Sequence, residues 1–447
     1  MQMQKIPNSK SVWLNRYRAL AILVLCGAIP ALWGLPFIYS GASDFKAVYF
    51  GTRALLQGND PYQVGTGLQV YLHEGGEKFP PDEKLYELLS RQPYLPTALL
   101  FTAPVARLPW PVARTLWMLV SQAILVFACF LMWTIAARSA PRVSLALLAV
   151  LLANCEIAFS SGNPAVLSIG LLGIAVWCFF EDRFPYIGAI CLACSLMLKP
   201  HDSGMIWLGM VLLGGVYRKR ALQSFAITLV FAAVAALWIG SVAPHWPSEL
   251  LANLAVYNAP HGFNSPGPEA YTSAGPAMVI DFQAALSLFK NTPGFYRPAS
   301  LLVCGVLVLI WIFFTIRARS KDPNLDPWLV FAAAVPLTML VTYHRPYDAK
   351  LYILAIPLCA SLWLRKNVLG MTGLVLNALA IVATSDIPLA LVLLLDRIFA
   401  IPHETLTYKV LALLLFRPAP FALLLSCAFC LWLLARGPWS SARTLQS

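Results

Sequence analysis

Residues 17–39 read YRALAILVLCGAIPALWGLPFIY, and this stretch has no charged residue after Arg18. An α-helix needs about 20 consecutive apolar residues to cross the hydrocarbon core of a bilayer. The stretch is too long for a removed signal peptide, and it lacks a small-residue cleavage site. It therefore predicts that the chain enters a membrane as a helix near its start.

Apolar stretches of similar length recur to the other end of the chain. Hydrophobic residues make up 59% of the 447 residues and charged residues 12%, whereas a soluble protein normally carries about twice that charge. The sequence therefore predicts an all-α, polytopic integral membrane helical bundle with about twelve transmembrane helices. The predicted spans cover residues 17–39, 112–136, 143–161, 164–180, 185–199, 203–216, 221–243, 298–316, 327–342, 348–364, 368–384 and 408–434.

Basic residues concentrate in short segments between these spans, and they give the chain a net charge of +12. Cytoplasmic loops of membrane proteins are enriched in lysine and arginine, so we predict that these segments and both termini are cytoplasmic. Such clustering also argues against nucleic acid as a partner. The basic positions are Lys5, Lys10, Arg16, Arg18, Arg138, Arg142, Arg218-Lys219-Arg220, Arg317, Arg319, Lys321 and Arg365-Lys366.

Two long loops, residues 40–95 and 244–297, are external in this topology. The first contains a predicted helical piece at 44–57, whereas the second is rich in Pro, Gly, Asn and Tyr and shows no periodic pattern. Long loops of that second kind usually act as lids or binding loops. Two further apolar segments, Thr97–Leu108 and Pro388–Ile401, are predicted to dip into the membrane without crossing it.

The whole chain, residues 1–447, is predicted to form one membrane-embedded domain. A module at about 17–243 is followed by more variable helices at 298–434. All ten cysteines lie in apolar segments, without the polar neighbours that a metal or redox role needs. The chain also lacks a Walker A loop, a dinucleotide-binding glycine motif, H-E-x-x-H, a nucleophile elbow and D-x-D.

Asp44 follows the first span directly, in the sequence Gly41-Ala42-Ser43-Asp44-Phe45. Serine and aspartate are common helix N-caps, which is one interpretation of this position. A carboxylate at the membrane–water boundary also suits a general base that takes a proton from an attacking hydroxyl. Composition leaves both interpretations open.

Two polar segments connect later spans at the same predicted face. Lys199-Pro200-His201-Asp202 presents a lysine that fits either a lipid phosphate or a side chain that snorkels to headgroups. In His344-Arg345-Pro346-Tyr347-Asp348, Arg345 suits bidentate phosphate binding, and His344 suits hydrogen bonding or acid–base chemistry. The alternative for this second segment is an Arg345–Asp348 ion pair that fixes the loop.

Three further candidates share this face. Asn163, in Gly162-Asn163-Pro164, can offer a donor and an acceptor to a sugar hydroxyl, or it is an ordinary turn residue. Glu156 stands two helical turns earlier, in the outer half of its predicted span. His261, between Asn258 and Asn264, either binds sugar or is a solvated loop histidine.

Several blocks resemble glycosyltransferase family 87, the bacterial polyprenyl-phosphate-mannose-dependent mannosyltransferases. The resemblance extends over roughly residues 40–365 and depends on the order and spacing of the blocks. They are Asp44-Phe45-x-x-x-Tyr49, Ala54-Leu55-Leu56-x-Gly58-x-Asp60-Pro61-Tyr62, the run from Tyr94 to Pro109 with Trp117, Ser161-Gly162-Asn163-Pro164, Leu198-Lys199-Pro200, and His344 through Leu351.

The resemblance implies a type-C glycosyltransferase fold with Asp44 as the general base of an inverting transfer. A polyprenyl-phosphate sugar, mannose by family default, would enter from the bilayer, and a glycolipid or glycan would accept the sugar. Lys199, His344 and Arg345 would bind the donor phosphate. No cofactor and no metal are expected. The candidates for sugar or acceptor binding are Asn163, His201, His261, Tyr62 and Glu156.

The resemblance also implies a multi-pass protein of the bacterial inner membrane with its active site on the periplasmic side. One departure is that Asn163-Pro164 stands where the family usually has Gln-x-Asn, so the sugar or acceptor is open. A flippase or transporter for lipid-linked sugars is the alternative, but it would spread polar residues through the membrane midplane. A structural subunit of an envelope-assembly complex is a third interpretation, and it would not depend on Asp44.

Overall fold

The computed structural model describes residues 9–38, 41–78, 84–260, 262–267, 279–388, 390–391, 410, 414–415 and 417–436. These residues are helical or irregular, with no strand among them. The α-helices are α1 (Ser9–Ile38), α2 (Ser43–Leu56), α3 (Thr66–His73), α4 (Lys84–Ser90), α5 (Pro96–Ala106), α6 (Trp110–Ala136), α7 (Pro141–Ala153), α8 (Glu156–Ser161), α9 (Pro164–Phe180), α10 (Pro185–Leu198), α11 (Pro200–Leu213), α12 (Gly215–Val242), α13 (Trp246–Tyr257), α14 (Phe282–Phe289), α15 (Pro293–Lys321), α16 (Pro327–Val341), α17 (Ile356–Trp363), α18 (Val368–Ala383) and α19 (Ala419–Arg436). A 3₁₀ helix covers Asp348–Leu354.

Five of the described helices are long and apolar enough to cross a membrane: α1 over Asn15–Leu32, α6, α12, α15 and α19. Shorter apolar helices of 10–17 residues accompany them, namely α5, α7, α9, α10, α16 and α18. The all-helical prediction is therefore confirmed for the described residues, and the chain is a multi-pass membrane protein. The number of crossings stays a prediction.

The helices form a packed centre and an exposed perimeter. Every residue of α16 from Pro327 to Leu340 is buried, and α9 packs extensively against α6 and α10. On α12 and α15, by contrast, only 11% and 22% of the apolar window is buried, against 61% on α6. Such extensive exposed apolar surface is typical of a face that contacts lipid rather than water.

Prolines and side-chain caps define where these helices begin. A proline occupies the first turn of α5, α6, α7, α9, α10, α11, α15 and α16, where its missing N–H costs nothing. Asn163 caps α9 by accepting the N–H of Ala165 at 2.8 Å, and Asp326 caps α16 in the same way. Polar residues therefore lie at the helix junctions, which is where the candidate site forms.

Two predicted spans prove to be interrupted. The span 143–161 is divided into α7 and α8, because the Asp386 carboxylate accepts the backbone N–H groups of Glu156 and Ile157 and gives α8 its own N-terminus. The span 348–364 consists of the 3₁₀ helix and α17. Pro357, in the first turn of α17, has no N–H to continue an α-helical bond pattern backwards.

The prediction that loop 244–297 lacks periodic structure is wrong. The loop contains α13 and α14, and α15 begins at Pro293. In the first loop, the helical piece predicted at 44–57 is α2. The segment 97–108 forms α5, whose 11 residues extend roughly 16 Å and are too short for a full crossing. Most of 388–401 lies outside the described residues.

Candidate active site

Four helix junctions meet at one place in the bundle. They connect α1 to α2, α8 to α9, α10 to α11, and α16 to the 3₁₀ helix. The side-chain amide of Asn163 donates to Asp44 Oδ2 at 2.7 Å, across 119 residues of sequence. Lys199 forms an ion pair with Asp348 across 149 residues. The junctions therefore bring together polar residues from four distant parts of the chain.

A close backbone approach holds the start of α2 against the end of α8. The N–H of Ala42 donates to the carbonyl of Ser160 at 2.6 Å, and Ala42 has a positive φ of 58°. Gly162 has a φ of 62°, and a Cβ there would lie 3.0 Å from the Cβ of Phe45. Only glycine meets both requirements at that position without strain. This packing fixes the position of Asp44 relative to Asn163.

An aromatic stack supports the same turn from the other side. The ring of Phe45 stacks on Trp117 with centroids 4.6 Å apart, and on Trp110 at 5.6 Å. The indole N–H of Trp117 donates to the carbonyl of Gly162 at 2.9 Å. Since stacked aromatic pairs prefer defined geometries, the residue next to Asp44 is held rigidly, and Asp44 has little freedom to move.

Burial makes Asp44 an unusual carboxyl group. It is only 5% exposed, and this burial raises its pKa above the usual range for aspartate. Three neighbours lower the pKa of Asp44: the positive charge of Arg345, the hydrogen bond that Asn163 donates, and the positive charge of Lys199. Together they do not cancel the effect of burial. A carboxylate with a raised pKa is a stronger base than an ordinary aspartate, and its neighbours are cations that suit an anionic substrate.

Asp348 organises the second half of the site. Its carboxylate pairs with Lys199, accepts the backbone N–H of Arg345 at 2.8 Å and lies 3.2 Å from Nδ1 of His344. The ammonium of Lys199 also lies 4.8 Å from the centroid of the Tyr347 ring. The sequence offered an ion pair between Asp348 and the side chain of Arg345 as one interpretation. In the structure, Asp348 instead pairs with Lys199 and accepts the backbone N–H of Arg345.

The guanidinium of Arg345 connects this segment to the second long loop. It donates to the carbonyl of Phe263 at 2.9 Å, bonds the hydroxyl of Tyr343, and lies 4.3 Å from the centroid of the Phe263 ring. Stacking on aromatic rings and these two bonds hold the guanidinium in a fixed plane. The loop 244–297 therefore contributes to the site through Phe263.

The remaining predicted residues occupy different surroundings. Tyr62 is buried in the first loop, where its hydroxyl donates to the carbonyl of Tyr94 at 2.8 Å. Glu156 is exposed, and its backbone N–H donates to Asp386 at 2.9 Å, so it lies at a different junction. His201 lies beside the cluster, with its ring 5.2 Å from that of His344. The predicted site residue His261 lies outside the described residues.

Sequence reasoning assigned no role to Asp202, which is 1% exposed in the first turn of α11. The signal was present, because Asp202 follows Lys199 and His201 at the end of a predicted span. Together with His201 and His344 it offers ligand atoms that all lie within 4.8 Å of one another. Both ends of the Asn163 amide bond the protein, at Asp44 and at Ala165, and its predicted contact with a sugar hydroxyl stays a prediction.

Comparison with known proteins identifies the family. The profile of glycosyltransferase family 87 matches residues 93–343, a narrower range than the resemblance at 40–365. The match includes Asn163 and Lys199 but ends before His344 and begins after Asp44. No significant similarity is found among curated proteins or among solved structures. Because the match covers more than half of the 447 residues, the chain belongs to glycosyltransferase family 87 and is therefore a membrane glycosyltransferase.

Proposed function

We propose that this glycosyltransferase moves a sugar, mannose by family default, from a polyprenyl phosphate to a glycolipid or glycan. The transfer takes place at the periplasmic face of the bacterial inner membrane and inverts the anomeric configuration. The observation that carries the proposal is the placement of a buried carboxylate, Asp44, bonded to Asn163 and close enough to Lys199 and Arg345 for both cations to lower its pKa. The carboxylate supplies a base for the acceptor hydroxyl, and the two cations suit the phosphate of the donor.

Asp44 acts as the general base in this proposal. Its carboxylate takes the proton of the acceptor hydroxyl as that oxygen attacks the anomeric carbon, and the bond from that carbon to the phosphate oxygen breaks. The bond from Asn163 keeps Oδ2 fixed, which leaves Oδ1 to face the acceptor. Fixing a base within hydrogen-bond reach of the proton that it abstracts contributes typically about 10²–10⁴-fold to the rate.

Arg345 and Lys199 bind the phosphate of the donor. Arg345 presents a planar guanidinium held by Phe263 and Tyr343, a geometry that matches two phosphate oxygens. Lys199 is shared with Asp348, so it contributes as the second cation. His344 has no exposed surface, and we place it behind these groups, where it orients Asp348 instead of contacting the donor.

The donor reaches the site laterally from the bilayer, a route supported by the extensive exposed apolar surface of α12 and α15. The polyprenyl chain would stay in lipid while its phosphate lies among the junctions. In the proposed topology of about twelve crossings, both termini are cytoplasmic and the site faces outward. A donor delivered through the membrane is required there, because nucleotide sugars are made on the cytoplasmic side.

The test compares Asp44→Asn with wild type in nanodiscs, using radiolabelled polyprenyl-phosphate-mannose and a membrane-lipid extract as the acceptor. The amide oxygen that this substitution introduces still accepts the bond from Asn163, so the fold is retained while the base is removed. Asp182→Asn is the matched control, because Asp182 is exposed and its φ of 50° suits asparagine.

We expect wild type and Asp182→Asn to transfer label and Asp44→Asn to transfer at least about a hundredfold less. Equal transfer by all three proteins would remove Asp44 from the chemistry. Transfer from polyprenyl-phosphate-glucose and not from the mannose donor would identify the transferred sugar as glucose. Transfer from a nucleotide sugar alone would overturn the proposed donor class.

A further inference from the structure

The buried carboxylate of Asp202 has no role in the mechanism proposed above. Neither of its oxygens accepts a hydrogen bond from any residue that the structure describes. The nearest ammonium, Lys199 Nζ, lies 3.8 Å from Oδ2 and is already paired with Asp348. One ammonium is thus shared between two buried carboxylates, and a buried charge without a close partner is costly, so Asp202 suits a further positively charged ligand.

His344 faces the same space. Its Nε2 lies 3.1 Å from the hydroxyl of Thr342, which can donate to this nitrogen or accept from it. Nδ1 lies 3.4 Å from Asp202 Oδ1 and 3.2 Å from Asp348 Oδ2. Two carboxylate oxygens this close to Nδ1 are stabilised by a positive charge between them, which either a proton or a metal ion on Nδ1 supplies.

His201 closes the third side of this space. Its Nε2 lies 3.8 Å from Asp202 Oδ1, and its side chain is 38% exposed. The two imidazoles and the carboxylate thus surround one position, with access from the His201 side. Imidazole nitrogens together with a carboxylate suit zinc or manganese better than magnesium or calcium.

We infer that His201, Asp202 and His344 bind one divalent transition-metal ion. Metal–ligand bonds of about 2.0–2.1 Å place two tetrahedral ligands about 3.3 Å apart. The separations of 3.4 Å and 3.8 Å from Asp202 Oδ1 to the two histidines are close to this value. Three protein ligands leave a fourth position open, as in catalytic sites, and Thr342 orients His344 as an outer-shell partner.

This inference departs from the expectation that no metal takes part. The open fourth position, on the exposed side of His201, suits an oxygen of the donor phosphate, which an ion would hold together with Arg345. That role rests on the proposed function, whereas the binding of the ion does not. The competing occupant of the space is a proton on His344, and a metal titration separates the two.

The experiment titrates chelator-treated protein in nanodiscs with Zn²⁺ and, separately, with Mn²⁺, in the absence of donor and acceptor. Bound metal is measured by elemental analysis after gel filtration, and affinity is measured by calorimetry. The variants are His201→Ala, whose side chain is partly exposed and tolerates truncation, and Asp202→Asn. His245→Ala, at an exposed histidine outside the cluster, is the matched control.

We expect wild type and His245→Ala to bind one equivalent of at least one of the two ions. His201→Ala and Asp202→Asn should bind it at least about tenfold more weakly, as ligand loss exceeds the loss caused by removing an outer-shell partner. Equal binding by wild type and His201→Ala, including no binding by either, would overturn the inference and leave the space to a proton. Because no substrate is present, this result is independent of the outcome for sugar transfer.

Discussion

Asn163 offers a substitution series that separates catalysis from helix stability. Its amide N–H₂ donates to Asp44 Oδ2 at 2.7 Å, and its carbonyl oxygen accepts the N–H of Ala165 at 2.8 Å. Asn163→Ser keeps an oxygen that can cap α9, but it loses the donor to Asp44 because the hydroxyl is too short to serve both. Asn163→Ala loses both bonds.

The expected magnitudes follow from these two bonds. A hydrogen bond to a charged group contributes about 1.5–3 kcal/mol, and an N-cap contributes about 1 kcal/mol. Asn163→Ser should therefore lower the free energy of unfolding by about 1.5–3 kcal/mol, and Asn163→Ala by about 1 kcal/mol more. In both variants the pKa of Asp44 should rise further, because the bond from Asn163 lowers it in the wild type.

Thermal unfolding in nanodiscs would measure the stability of the three proteins. The dependence of kcat/KM on pH would measure the base: its acid limb should move to higher pH in both variants, to a similar extent. An unchanged acid limb and wild-type kcat/KM in Asn163→Ser would refute the role of this bond in catalysis. Equal stability of the two variants would refute the role of Asn163 as a cap.

Three further predictions test the geometry around the site. Gly162→Ala should lower the free energy of unfolding by about 1–2 kcal/mol, because residue 162 has a positive φ. The control is Gly240→Ala in the interior of α12, where a Cβ meets open space; it should be neutral or stabilising in the same thermal assay. Lys199→Met should cost about 3–5 kcal/mol by leaving a buried carboxylate unpaired, and adding Asp348→Asn should recover most of that loss; no recovery would show that the pair is not the cause. In the wild type, kcat/KM should fall as pH falls through the raised pKa of Asp44. The acid limb of the pH profile should therefore lie above the pKa of an ordinary aspartate, about 3.9 in peptides. An acid limb at or below that pH would contradict the assignment of Asp44 as the base.

Much of the architecture could be predicted because it depends on local properties. Span length, low charge and clustered basic residues are read within about 20 residues, and they predict a helical membrane protein. The prolines that begin the apolar helices act equally locally. The polar segments at Asp44, Lys199 and His344 were recognisable because charge is expensive near membrane depth, so an ionisable residue stands out there.

The interruption of the predicted span 143–161 was not predictable, because it depends on a distant partner. α8 begins separately since Asp386, 230 residues away, accepts the N–H of Glu156. The helices within loop 244–297 escaped detection for a related reason. They are short, and isolated helices of that length are marginal without the tertiary packing that stabilises them.

The pairing of side chains within the site likewise required the packed bundle. Sequence order offers Asp348 the neighbouring Arg345, yet its ion-pair partner is Lys199, which arrives from the junction of α10 and α11. From the sequence, Asn163 fits an ordinary turn residue. In the structure, Gly162 allows the close approach of α2, so the Asn163 amide nitrogen lies 2.7 Å from Asp44 Oδ2. Local sequence sets which groups are polar and where helices end, whereas the close approach of helix ends decides which of those groups bond, because hydrogen bonds and ion pairs act only over a few ångströms.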